Sequence, residues 1–553
     1  MKKNKQNKTM EKNTFMGGAF ISTLGIVISK ILGIVYVVPF HAMVGAAGGA
    51  LYGYAYSIYA FFIGLSTAGI PLSVSKVTSH YEALGYYDAK KRVFVLARKL
   101  ALLLGFISFL ILMIFAPVIA KMVMGDLSGG NSLASITLVI RIIALAVLVV
   151  PTLSIYRGYM QGHMIMTPPS ISQVIEQLVR VLIIIFGSFL VVKVFKKAVS
   201  LSVAVALLGA FVGALCSYIY LRRIYVKHKK EFKEDTKPVE EPLIGNKEII
   251  KLILIYAVPF IMIDVVKAVY DLVDMATIVK SLVAYANYTT AEAESVMSII
   301  STWGKKFNMI VISVTTGIIM SLIPSLSSAI TKKDHKDINK KINESFSLLF
   351  LFGLPMAFGI AILAYPIWNL FYGSGSGAST MTYYIFVAIF MSLFTLAVTI
   401  IQLFKDFKVL FWSMLIGLIF KILLNVNLIS SFAKMGLPPI YGSITATIIG
   451  FMITFIICII VLYKKYDIKF DQSIKNFIDV FICCIVMSVV LLLLNMIVPV
   501  SHAGRLVSLL IIVLYAVVGA FIYGICSYKL GVLQRVTGNR FTKFFKKIDY
   551  KNR

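Results

Sequence analysis

The chain reads as an all-α polytopic membrane protein of about fourteen transmembrane helices, built as two pseudo-symmetric six-helix lobes plus two C-terminal helices. Three observations predict this. Of 553 residues, 59% are hydrophobic and 14% charged, against about 25% charged in a soluble domain. The apolar residues gather into segments of spanning length, about 20 residues or more, and the mean hydropathy is +0.90. The connections alternate between rich and poor in Lys and Arg. Helices are expected because a spanning backbone must satisfy its own hydrogen bonds in lipid. A closed barrel would show alternating strands of about 10 residues, and the sequence has none.

The first span, 15–40, follows a basic tail and shows no small-residue cleavage site, so a retained helix is expected. Span two, 51–75, closes on Ile70-Pro71-Leu72-Ser73-Val74-Ser75. Spans three to six cover 93–120, 134–156, 167–192 and 199–221, completing an N-terminal lobe over 1–221. The Lys- and Glu-rich stretch 222–251 reads as a cytoplasmic linker. Spans seven to twelve, at 252–279, 296–325, 345–371, 379–404, 409–432 and 440–463, form the C-terminal lobe over 252–463. Spans at 476–500 and 506–528 complete the segment 464–528, and a basic tail covers 529–553. The two-lobe reading rests on a repeat: Ile323-Pro324-Ser325-Leu326-Ser327-Ser328 ends span eight as its counterpart ends span two. An even offset of six spans relates the lobes by an axis along the membrane normal.

Charge sets the orientation. With both termini in the cytoplasm, 38 of the 54 Lys and Arg residues fall on the inner side and 7 on the outer, the remainder lying within spans. Lys193, Lys196 and Lys197 are the one outer cluster against the trend. The same distribution explains the net charge of +30 without nucleic acid, since cations beside spans set topology and attract anionic headgroups. The setting expected is a cell membrane, with the protein acting as a monomer.

Charges inside spans are costly, roughly 2.5–3.5 kcal/mol each at a helix centre, and usually face a cavity or a partner. Lys30 lies mid-way along span one. Gln173, Glu176, Gln177 and Arg180 share one face of span five, with Glu176 and Arg180 placed to pair. Asp264, Lys267, Asp271 and Asp274 share one face of span seven, where Lys267 can bridge either Asp264 or Asp271. An intramembrane carboxylate is also a candidate for taking up H+ or Na+. Lys305 and Lys306 lie in span eight after Trp303-Gly304, Arg141 in span four, and Lys421 in span eleven near Asn425 and Asn427. For Arg141 and Lys421 a helix–helix hydrogen bond explains the residue as well as a ligand does. Several fixed cations in a medium of reduced dielectric favour a phosphate-bearing amphiphile as cargo. Lys30, Lys305, Lys306, Arg180 and Arg141 are the candidate ligands, and Glu176, Asp264, Lys267 and Asp271 the candidate coupling or gating groups.

Catalysis finds no support. There is no phosphate-binding loop of the form Gly-x-x-x-x-Gly-Lys-Ser/Thr, no triad and no metal spacing. All five cysteines (Cys216, Cys458, Cys483, Cys484, Cys526) fall within apolar spans. No resident cofactor is expected; coupling to Na+, H+ or the membrane potential is.

Three stretches carry a resemblance: Ser29-Lys30-Ile31-Leu32-Gly33; Arg157-Gly158-Tyr159-Met160-Gln161-Gly162 with the following Pro168-Pro169, Ser172-Gln173 and Glu176-Gln177; and Leu322-Ile323-Pro324-Ser325-Leu326-Ser327. Along nearly its whole length the chain resembles the multidrug/oligosaccharidyl-lipid/polysaccharide exporter superfamily. Within that group it is most similar to lipid II flippases of low-GC Gram-positive bacteria and their sporulation relatives. The resemblance implies alternating access between two lobes and a flippase carrying lipid II from the inner to the outer leaflet. Basic residues of helices one and eight would line a central cavity; the matching positions are Lys30 and Lys305. Both are lysines where the pattern has arginines, which keeps the charge and loses the bidentate fork. A further arginine of the pattern falls on Tyr36, and an acid expected near Leu51-Tyr52 is missing. The last two helices would form a groove for the lipid tail. Three alternatives remain at this point: another polyprenyl-diphosphate-linked glycan as cargo, a cation-coupled multidrug exporter, or a non-transporting scaffold.

Overall fold

The computed structural model describes residues 28–29, 32–33, 35–67, 69–125, 129–232, 244–500 and 504–537. Among them there is no strand, and thirteen helices are long and apolar enough to cross a membrane. These match expected spans two to fourteen; most of span one lies outside the described residues. The chain divides by packing into two units, Met1–Ala276 and Thr277–Arg553.

The N-terminal unit contains α1 (Val37–Thr67), α2 (Ile70–Leu84), α3 (Tyr87–Met124), α4 (Leu133–Gly162), α5 (Thr167–Leu182), α6 (Val199–Lys227) and most of α7 (Asn246–Ala286). The stretch expected to connect spans one and two is itself helical, and the direction change falls at Gly45 inside α1 (φ 64°, ψ −162°), which only glycine adopts without strain. The motif glycines of α4 have a packing role. A Cβ on Gly158 would sit 2.4 Å from the Pro71 carbonyl oxygen, and one on Gly162 2.7 Å from that of Ser75. Two glycines one turn apart therefore let α4 and α2 touch backbone to backbone.

The linker is pinned at both described ends. Lys90, wholly buried, donates to the Phe232 carbonyl at 2.6 Å and pairs with Glu82 at 2.6 Å. Arg92 donates to the Ile244 carbonyl at 2.6 Å. Phe232 is itself buried against Tyr159, His163 and Tyr225. Beyond it Ile249, Ile253 and Ala257 of α7 belong to the same core as Val74, Phe94 and Tyr156. The division by packing consequently falls inside α7, at Ala276–Thr277, and not in the stretch 222–251.

The C-terminal unit holds the end of α7, α8 (Thr290–Ser298), α9 (Lys305–Thr331), α10 (His335–Ile362), α11 (Ala364–Tyr372), α12 (Ala378–Tyr384), α13 (Val387–Leu403), α14 (Phe407–Lys434), α15 (Ile440–Tyr466), α16 (Asp471–Ile497), α17 (Arg505–Lys529) and α18 (Val532–Thr537). Expected span nine, 345–371, is two helices meeting at Leu363, because Pro366 has no N–H to offer the Ile362 carbonyl. Large apolar side chains stand outward along the helices, up to 82% exposed at Met496 and 80% at Leu506. Water would not tolerate so continuous an apolar surface, whereas lipid does.

Candidate functional site

In the N-terminal unit the polar face of α5 becomes a clamp. Pro168 and Pro169 open this helix in its first turn, where a missing N–H costs nothing. Arg180 Nη2 donates to Glu176 Oε1 at 2.9 Å, and Arg157 Nη2 of α4 donates to Glu176 Oε2 at 2.9 Å. Arg157 also donates to the hydroxyls of Ser172 (2.8 Å) and Ser217 (3.1 Å). The three charged side chains are only 12–15% exposed. Two guanidiniums on one carboxylate leave the cluster with a surplus positive charge. Arg180 Nε is buried with no hydrogen-bond partner, so this guanidinium has a donor to spare for an oxyanion.

Helix α6 holds the clamp from behind. A Cβ on Gly213 would lie 2.5 Å from the Glu176 carbonyl oxygen and one on Gly209 3.1 Å from that of Arg180. One turn further, Ser217 donates to the Ser172 carbonyl at 2.7 Å. The row 209, 213, 217 thus lies against the carbonyl row 180, 176, 172 of an antiparallel neighbour. Helix α1 supplies Tyr52, Tyr56 and Tyr59, with ring centroids 5.6 and 5.5 Å apart in succession, all within electrostatic reach of Arg180. A Cβ on Gly33 would stand 3.3 Å from Gln177 Nε2, so the glycine of the Ser-Lys-x-x-Gly motif also abuts this face. Lys30 lies outside the described residues.

The other intramembrane charges are separate. Lys267 Nζ stands 3.8 Å from Asp264, longer than a hydrogen bond, with the aspartate half exposed; of its two possible partners this is the ion pair formed. Asp271 and Asp274 are half-buried further along α7. Arg141 is exposed, and sixteen residues of α4, about 24 Å of helix, separate it from Arg157. It does not join the clamp. Arg157, one residue past the expected end of span four at 156, does join it, along with Ser172 and Ser217. The available signal was Gly209-x-x-x-Gly213-x-x-x-Ser217, a small-residue row that invites another backbone.

In the C-terminal unit Lys305 and Lys306 open α9 directly after a π-type turn, Ile299–Trp303. Two tyrosines stabilise that turn: Tyr384 donates to the Ile300 carbonyl at 2.8 Å and Tyr372 to that of Trp303 at 3.0 Å. Both lysines are half-buried. π-type turns also follow Arg180, at Ile183–Gly187 and Leu190–Val194. Such turns re-aim neighbouring side chains and recur at functional sites.

The same unit carries an apolar cleft of about 670 Å³, lined by α10, α13, α15 and α16 and dominated by phenylalanines such as Phe350, Phe358, Phe390, Phe455 and Phe477. Its polar lining is Lys464, Asp471 and Ser473. Of the two helices expected to form a tail groove, only α16 lines this one. Helix α17 packs against α16 and α11 without lining the cleft, with Ser508 accepting from Asn369 of α11 at 3.0 Å.

A family profile described as "Polysaccharide biosynthesis protein" matches residues 15–324. The lipid II flippase MurJ of Bacillus subtilis (strain 168) is 31% identical over 542 residues, covering 96% of this chain and 98% of that one. The chain belongs to the MurJ family. Stage V sporulation protein B of the same organism is 24% identical, over 67% of this chain and 69% of its own. Among solved structures, a MurJ in an inward closed conformation superposes with a TM-score of 0.62 at 16% identity, over 93% of this chain and 99% of that one. An inward-facing multidrug MATE transporter gives 0.59 at 13% identity, over 81% and 98%. These likenesses establish the fold as that of MurJ and the MATE transporters. The named relatives with a stated activity are flippases and transporters and not enzymes. The chain is therefore a multi-pass membrane protein of a transport family.

Proposed function

We propose that this chain is a flippase that moves lipid II, the polyprenyl-diphosphate-linked peptidoglycan precursor, from the inner to the outer leaflet by alternating access. The observation that carries the reading is the full-length match to the B. subtilis flippase, 31% identical over 96% of this chain. The cation-rich clamp supports it: Arg157 and Arg180 exceed Glu176 by one charge at low exposure, and an amphiphilic diphosphate is the cargo whose head needs cations inside an apolar protein. Lys30 and Lys305 are the proposed principal ligands of the diphosphate. Arg180 and Lys306 assist; Arg141, exposed on α4, is the weakest candidate. Asp264, Lys267 and Asp271 are the proposed coupling or gating groups. The phenylalanine-lined cleft suits a polyprenyl tail whose polar end meets Lys464. A membrane potential would act on the charged groups with about 2.3 kcal/mol per charge per 100 mV. The protein works as a monomer with both termini in the cytoplasm.

The test is complementation of a strain depleted of its lipid II flippase. The wild-type chain restores growth, while Lys30→Ala and Lys305→Ala, present at normal levels in the membrane, do not. Failure of the wild-type chain overturns the function; full growth from both variants overturns the ligand roles.

A further inference from the structure

The two guanidiniums of the N-terminal clamp are held unequally. Arg157 has three acceptors, Glu176 Oε2 at 2.9 Å and the hydroxyls of Ser172 and Ser217 at 2.8 and 3.1 Å. Both serines are wholly buried, and both give their own protons to main-chain carbonyls, Ser172 to Pro169 at 2.6 Å and Ser217 to Ser172 at 2.7 Å. Their lone pairs therefore face Arg157 and fix it. Arg180 has a single acceptor, Glu176 Oε1 at 2.9 Å, and its buried Nε has none.

Arg180 is thus the arm that can change partner. The phenols of Tyr52, Tyr56 and Tyr59 stand within its electrostatic reach and are neutral near pH 7, so among the described residues Glu176 is the carboxylate that balances it. A carboxylate and a phosphate offer a guanidinium the same oxyanion contact. A diphosphate brings more charge than Glu176 and can also take the idle Nε–H. Without either anion Arg180, at 12% exposure, would be an uncompensated charge.

We infer that Glu176 is an internal stand-in for the phosphate of the cargo. It balances Arg180 when no cargo is bound, yields it to a phosphate oxygen on binding, and stays paired with Arg157 throughout. Glu176 therefore sets how tightly the head group is held: a carboxylate that occupies Arg180 about nine-tenths of the time raises the apparent Kd about tenfold. It also retakes Arg180 as the phosphate leaves, which favours release after transit. The inference rests on the reading of the cargo as a phosphate-bearing amphiphile and adds the residue that competes with it.

The experiment titrates inorganic pyrophosphate, by calorimetry at constant ionic strength, into the purified full-length wild type, Glu176→Gln, Arg180→Gln and the double variant. Glu176→Gln is expected to bind about tenfold more tightly than wild type, and the gain to vanish when Arg180 is also replaced. Binding no tighter in Glu176→Gln overturns the inference. So does a gain of equal size in the Arg180→Gln background, which is the general effect of removing one negative charge. Should Glu176→Gln not fold, Glu176→Asp decides: it keeps the charge, and its shorter side chain loosens the hold on Arg180. Several-fold tighter binding than wild type upholds the inference; equal or weaker binding overturns it. Complementation reports on the lipid carried and this titration on the clamp alone. A chain that fails to complement yet passes here carries another phosphate-bearing amphiphile, and one that complements but fails here holds lipid II on other cations.

Discussion

At the scale of single residues, Glu176 is the position on which the N-terminal charges turn. Its carboxylate takes one guanidinium on each oxygen at 2.9 Å, so replacing it by alanine leaves two cations facing one another at low exposure. A broken buried pair costs about 3–5 kcal/mol; Glu176→Ala should lower the midpoint of a detergent melt accordingly, with Glu176→Asp recovering part of the loss. Gly213→Val tests the backbone contact behind it. The added Cβ would fall 2.5 Å from the Glu176 carbonyl oxygen, and overpacking of that kind costs about 1–3 kcal/mol. The pairing of Glu176 with Arg180 was legible from a spacing of four; that with Arg157, nineteen positions away, was not. A different residue offers a pH test outside the spans. Burial would raise the carboxyl of Asp406, between α13 and α14, but hydrogen bonds from Lys465 and Tyr466 and the Val409 N–H outweigh it and hold the group below the usual carboxylate range. A lowered carboxyl contributes stability that is complete above its unfolded pKa, about 3.9, and lost only as pH falls through the folded value. Thermal midpoints should therefore show a small deficit for Asp406→Asn that stays constant between about pH 5 and 8, narrowing only in stronger acid.

At the scale of elements, hydropathy located the helices well because lipid demands about 20 apolar residues per crossing. It could not show that 41–50 is helical with its turn at Gly45, or that Pro366 splits a span in two, since both depend on which backbone hydrogen bonds remain available. The linker is the clearest case of an element whose role needed coordinates. Its sequence reads as a charged tether, yet Lys90 and Arg92 hold its two described ends by the main-chain oxygens of Phe232 and Ile244. Lys90→Met, which keeps the length and removes the pin, should speed tryptic cleavage within 222–251 several-fold relative to wild type. Phe232→Ala should do the same by emptying the aromatic pocket among Tyr159, His163 and Tyr225. Unchanged cleavage in both variants would mean that the linker is held by something other than these contacts.

At the scale of the whole molecule, the inner-to-outer ratio of 38 to 7 basic residues predicts orientation. Single cysteines at Lys336 and Lys434, both exposed, should react with a membrane-impermeant thiol reagent from opposite sides: Lys336→Cys only in inverted vesicles, Lys434→Cys only in intact cells. The native cysteines are buried or half-buried and add little background. Sequence alone determined that the chain crosses the membrane many times, where most of the crossings lie, and which charges share a face of one helix. Those properties repeat within a single segment: an apolar length and a period of 3.6 residues. Tertiary structure alone decided that Arg157 closes on Glu176, that α7 packs mainly with the N-terminal unit, and that Lys421 donates to residues 22 and 26 positions further on. In a soluble protein the apolar stripe tells which face of a helix turns inward. In lipid both faces are apolar, and the partner is chosen by where small residues let two backbones meet.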